Sequence, residues 1–85
     1  MNEPVRTACA LYYGEKDAPE VIAKGERAIA AEIVRIAREH DVAVIRDERT
    51  ARSLMHLSVG DIIPQELYEA VSIILAFVYE RKAAA

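Results

Sequence analysis

The stretch VIAKGERAIAAEIVRIAREHDVAVI, residues 21–45, decides the fold class. It opens on Val21-Ile22-Ala23, a short apolar run that Gly25 ends. From Glu26 to His40 the period changes. Ile29, Ile33, Ile36 and Ala37 recur at i, i+4, i+7 and i+8, while Arg27, Glu32, Arg35, Arg38 and Glu39 cover much of the rest, which is the pattern of an amphipathic helix. Val42-Ala43-Val44-Ile45 is then an unbroken apolar run rich in β-branched residues, as expected of a central strand covered on both faces. A helix between two strands predicts a right-handed crossover that sets residues 21–23 parallel to residues 42–45 in one mixed sheet. The class is α/β.

Working outward, residues 7–13 are short, small and apolar or aromatic, and Gly14-Glu15-Lys16-Asp17-Ala18-Pro19 follows with turn formers. That spacing predicts a hairpin pairing residues 7–13 antiparallel to residues 21–23. On the other side, Asp47 is placed to cap a short helix that turns Ala51, Leu54 and Met55 inward and ends near Leu57. Ser58-Val59-Gly60-Asp61 reads as a connection, and Pro64 starts a last helix that runs to about Arg81. Leu67, Val71, Ile74, Leu75 and Val78 form its core stripe. Tyr68, Ile73, Phe77 and Tyr79 widen the apolar surface beyond one face, so the helix is either deeply packed or partly turned towards a partner. The expected order is ββαβαα, a small mixed sheet with helices packed on its faces. Residues 1–85 make one domain, with 82–85 a fraying tail.

Composition narrows the function. At 85 residues with 53% hydrophobic and 29% charged side chains, the chain has the balance of a packed globule of modest stability. A net charge of −3 with no basic stretch gives a phosphate backbone nothing to bind, which argues against nucleic acid. No apolar run approaches the ~20 residues of a membrane span. The start Met1-Asn2-Glu3-Pro4 has neither a basic region nor a hydrophobic core of a signal peptide, so the expected location is the cytoplasm. Cys9 alone forms no internal bridge, in keeping with a reducing compartment. His40 and His56 lack a second ligand at metal spacing, so no metal is expected. Ser53, Ser58 and Ser72 lack a nucleophile elbow, and Lys24-Gly25-Glu26 carries too few glycines for a phosphate nest. No cofactor and no enzymatic activity are expected.

Ala18-Pro19-Glu20-Val21-Ile22-Ala23-Lys24-Gly25 resembles the A-P-x-V-V-A-K-G segment of the cytoplasmic domains of FlhB/YscU/HrcU-type export-switch proteins of flagellar and type III secretion systems. Ala8-Cys9-Ala10-Leu11-Tyr12-Tyr13 is similar to their A-V-A-L-K-Y strand. In the same order, Ala51-Arg52-Ser53-Leu54 resembles L-A-R-x-L, Val59 through Val71 resembles V-G-D-x-I-P-x-E-L-Y-x-A-V, and Phe77-Val78-Tyr79 resembles an aromatic-V-Y element. Together these cover nearly the whole chain.

The resemblance implies a protein-binding part of the export apparatus, similar to the fragment left when a full-length member cuts itself at an N-P-T-H motif. Glu3-Pro4-Val5-Arg6 aligns with that motif and keeps only its proline. A carboxylate at Glu3 stands where the nucleophilic amide would be, so self-cleavage is not expected. Larger members add a strand before this region, which implies an open edge at residues 7–13 unless residues 1–6 fold back or a homodimer covers it. The residues matching the family's substrate-contacting patch are Ala18, Pro19, Ser72 and Leu75, with Ser72 in place of a small apolar residue. Implied partners are export-apparatus proteins, export substrates or a full-length membrane homologue, at the cytoplasmic face of the inner membrane. The alternative is a diverged regulatory domain, homodimeric and unrelated to export.

Overall fold

The computed structural model describes residues 5–84, with side chains through residue 80. Strand β1 (Thr7–Tyr12) and strand β2 (Glu20–Glu26) are followed by helix α1 (Ala28–Glu39), helix α2 (Glu48–Leu54), a 3-10 turn (Gln65–Leu67) and helix α3 (Tyr68–Ala84). The hairpin forms as the turn residues predict. Thr7 pairs with Glu26, Ala8 with Gly25, Cys9 with Lys24 and Ala10 with Ala23, and the register then shifts so that Leu11 meets Val21. Ile22 is the extra residue of that bulge, which bends the ribbon.

The pairing sorts side chains into two faces. Ala8, Ala10, Ala23 and Gly25 make one face of small residues, and α1 lies on it. A Cβ at Gly25 would fall 2.8 Å from Ile29 Cβ, so the absent side chain sets how closely α1 approaches. Cys9 and Leu11 face the other way, onto a core of Ala18, Leu54, Ile63 and Val71 that Leu57, Leu67 and Leu75 extend. The molecule is therefore α1, then sheet, then α2 with α3.

Close approach rotates α1 relative to the expected stripe. Ala30 is fully buried, Ile33, Val34 and Ala37 are half-buried, and Ile29 and Ile36 are 62% and 45% exposed. A flat bed of alanine and glycine accepts a small residue facing it and turns the bulky isoleucines to the flank. Arg27, at φ 54°, makes the sharp entry to α1. Asp47 caps α2 as expected, its carboxylate accepting from the Thr50 amide at 3.2 Å. Helix α3 continues past the expected end to Ala84, with no glycine or proline to stop it.

One element differs in kind. Residues 42–45 are not a strand, and the sheet is two-stranded and antiparallel rather than mixed. The reason lies in the edges of β2. One edge is taken by β1. The start of the other is covered by residues 60–63: Gly60 N donates to Val21 O at 2.7 Å, Val21 N to Asp61 O at 2.9 Å and Ile63 N to Pro19 O at 2.9 Å, with a bridge between Glu20 and Ile62. The outer backbone groups of Val21, where the crossover pairing would begin, are thus taken by residues 60 and 61, while the α/β class stands.

Candidate protein-binding site

The loop before β2 and the inner side of α3 contribute Ala18 and Leu75 to the same core. Ala18 is buried in the core, Leu75 is half-buried against it, and Pro19 is buried with its carbonyl held by Ile63. Ser72, one turn before Leu75 on α3, is exposed, and its hydroxyl donates to Glu69 O at 2.8 Å. Of the four expected residues, Ala18 and Leu75 belong to the same core, Pro19 is buried and Ser72 stands outside the packing.

The surroundings are apolar. Tyr68, Ile73, Phe77 and Tyr79 are each about half exposed or more, Ile73 the most at 64%. Val71 takes the core side of the same helix, so α3 carries apolar residues on both its packed and its solvent side. A surface helix ordinarily keeps its outer face polar. Large apolar side chains turned to solvent on a helix are a feature of interaction surfaces.

The remaining expectations fall elsewhere. Glu3 and Pro4 lie outside the described residues. Val5 is half-buried beside Ala31, Val34 and Arg38 on the flank of α1, and Arg6 is exposed with its carbonyl accepting from Arg27 N at 2.8 Å. His40 closes the end of α1, its Nδ1 3.0 Å from Ile36 O. Among the described residues no cluster of three potential metal ligands occurs. Burial pushes the Cys9 thiol above its ordinary range, and the nearby Lys24 ammonium offsets part of that.

Sequence reasoning missed two features of this side of the sheet. Lys24 reaches across it and donates to Met55 O at 3.0 Å and Leu57 O at 2.5 Å, satisfying carbonyls at the end of α2. Residues 58–61 are more than a connection: Asp61 accepts from Ser58 N at 2.9 Å, Gly60 takes φ 97°, and the turn so formed presents residues 60–63 to β2. The Gly-Asp pair was the available signal, since a positive φ marks a turn that re-aims the chain.

A sequence model of the FlhB HrpN YscU SpaS Family matches residues 1–78. The chain belongs to this family. Among relatives, the Flagellar biosynthetic protein FlhB of Bacillus subtilis is 36% identical over 85 residues, covering 96% of this chain and 24% of that protein. The YlqH protein of the same organism is 42% identical over 79 residues, covering 91% of this chain and 85% of YlqH. The chain thus spans about a quarter of the FlhB relatives and most of YlqH. Among solved structures, the cytoplasmic domain of FlhB from Shewanella putrefaciens superposes with a TM-score of 0.85 at 33% identity, covering 89% of this chain and 64% of that one. The PscU C-terminal domain does so with a TM-score of 0.82 at 31% identity, covering 88% and 99%. The FlhB-type fold accounts for the ordered motifs seen in the sequence. No helix among the described residues is long and apolar enough to cross a membrane.

Proposed function

We propose that this FlhB-type domain is a non-catalytic protein-binding component of a flagellar or type III export apparatus. It acts in the cytoplasm and supplies to a membrane-bound relative, or to export substrates, the surface that a C-terminal fragment of that relative would present. The observation that carries this reading is the set of large apolar side chains that α3 turns to solvent, with Ile73 64% exposed. An 85-residue domain that leaves such a face uncovered has more to gain from a partner than from solvent.

The test is binding of the purified chain to a detergent-solubilised FlhB relative lacking the stretch this chain matches, and to export substrates, by surface plasmon resonance. Ser72→Arg places charge beside Leu75 at an exposed position. It should leave folding intact and weaken binding by about tenfold or more if that surface is buried in the complex. A parent chain that binds none of these proteins would sink the reading.

A further inference from the structure

Helix α3 has two sides that differ in charge as well as in depth. Val71 is buried and Ile74, Leu75 and Val78 are half-buried, which fixes the core side. At 3.6 residues per turn the opposite side is an arc of about 140° that holds Ser72, Ala76, Glu69, Glu80, Ile73 and Phe77 in that order around the helix, and all six are exposed. Ser72 and Ala76 make a low floor of small side chains one turn apart. Ile73 and Phe77 stand beside it as a ridge, and Glu69 and Glu80 mark the two ends, about 16 Å apart at 1.5 Å per residue. The Ser72 hydroxyl already donates to Glu69 O at 2.8 Å, so covering the floor strands no donor. A floor and ridge three turns long match the way one helix seats its ridges in the grooves of another.

Charge narrows what can lie there. From Asp61 to Glu80 the chain carries four carboxylates and no lysine, arginine or histidine, although it has 11 lysines and arginines in all. The Asp61 carboxylate accepts from the Ser58 amide, whereas Glu66, Glu69 and Glu80 are exposed and none joins an ion pair among the described residues. Such a face is repelled by an anionic lipid surface. It is also unsuited to a second copy of itself. Laid parallel, two α3 helices set Glu69 against Glu69 and Glu80 against Glu80; laid antiparallel, they set Glu69 against Glu80.

We propose that the outer face of α3 receives an amphipathic helix of a second protein, whose apolar stripe covers Ser72, Ile73, Ala76 and Phe77 and whose lysine or arginine at each end of that stripe meets Glu69 and Glu80. The stripe supplies the affinity. The exposed ion pairs add little energy, but they set the register and turn acidic helices away. The proposal deepens the function given above by naming the partner's chemistry, and it rests on that reading only for assigning the partner to the export apparatus.

Charge reversal tests it. Glu69→Lys combined with Glu80→Lys alters two exposed side chains and should leave the melting temperature within a few degrees of the parent's. The probes are two synthetic helical peptides: one has a leucine-alanine stripe bounded by lysines eleven residues apart, the spacing of Glu69 and Glu80, and its twin has glutamates in the lysine places. At low salt the parent should bind the lysine peptide about fivefold or more tighter than the glutamate twin, a gap that narrows at ~0.5 M salt. The reversed variant should prefer the glutamate twin, and amide shifts in nuclear magnetic resonance spectra of the parent should centre on residues 69–80. Equal binding of the two peptides, no binding of the lysine peptide, shifts centred outside α3, or a dimer of the parent that Ile73→Asp dissolves would each overturn the proposal. These measurements use no export protein. If the lysine peptide binds as expected but no FlhB relative or export substrate does, the export reading falls and the helix site stands. If a FlhB relative binds the parent and the reversed variant equally, the export reading stands and the helix site falls.

Discussion

The ammonium of Lys24, on β2, is bonded to the carbonyl of Leu57, just past the end of α2. This contact, with the second bond to Met55, joins the sheet to the segment that goes on to cover its edge. Lys24→Met keeps the aliphatic stem and removes the donors. A loss of about 1–3 kcal/mol in urea denaturation is expected, because two helix-end carbonyls are left part-buried without a partner. An unchanged midpoint would mean that water replaces the ammonium at no cost.

Gly25 and Ile29 should be coupled with a sign opposite to that of an ordinary contact. Gly25→Ala puts a methyl group against a β-branched side chain that cannot swing aside, so a loss of about 1–3 kcal/mol is expected. Ile29→Ala alone should cost little, since Ile29 is 62% exposed. Combining the two should recover most of the loss in a double-mutant cycle. Additive losses would place α1 further from the sheet.

The orientation of α3 and the core beneath it can be checked with three truncations. Leu54→Ala, at a residue 4% exposed, should cost about 2–5 kcal/mol. Val71→Ala, which removes two buried methyl groups, should cost about 2 kcal/mol. Ile73→Ala should stay within about 0.5 kcal/mol of the parent, as expected of a side chain in solvent. Similar losses at Val71 and Ile73 would require the helix to be rotated.

Burial raises the Cys9 thiol pKa above its ordinary value of 9.0, so the folded state favours the neutral form more than the unfolded state does. The associated stability is complete below the unfolded pKa and is lost as pH rises through the folded one. Denaturation midpoints of the parent should therefore fall more steeply above about pH 9 than those of Cys9→Ala, with no difference at neutral pH. Parallel curves over the whole range would show that the thiolate is tolerated in place.

Glu3-Pro4, outside the described residues, should survive prolonged incubation intact. A carboxylate lacks the amide nitrogen through which an asparagine displaces its own peptide bond. Intact-mass spectrometry would reveal a product beginning at Pro4 if another group takes over that role.

Much of this architecture is legible in the residues alone. The hairpin follows from its turn formers, the cap of α2 from Asp47, and the core side of α3 from the spacing of Leu67, Val71 and Leu75, because each depends on local geometry or on one helical period. What escapes is set by which edges meet. Residues 42–45 carry the composition of a buried strand, and nothing in that composition says that residues 60–63 have already taken the place beside β2. The rotation of α1 escapes for a similar reason, since it depends on Gly25 and the alanines opposite. At the candidate site, the resemblance groups Ala18, Pro19, Ser72 and Leu75, but the depth of Pro19 becomes visible only when Ile63 is seen bonded to its carbonyl.

The cover on β2 also fixes a schedule. Val21 waits for Asp61, which is synthesised forty residues later (61 − 21). At roughly 5–20 residues per second that interval lasts about 2–8 s. Until it ends, the nascent hairpin has no cover on either long side, and β1 brings no charge to keep neighbouring nascent chains apart. Yield in a heterologous host should then depend on elongation speed between codons 26 and 63 and on chaperone supply, quantities to which the stability of the finished domain is blind.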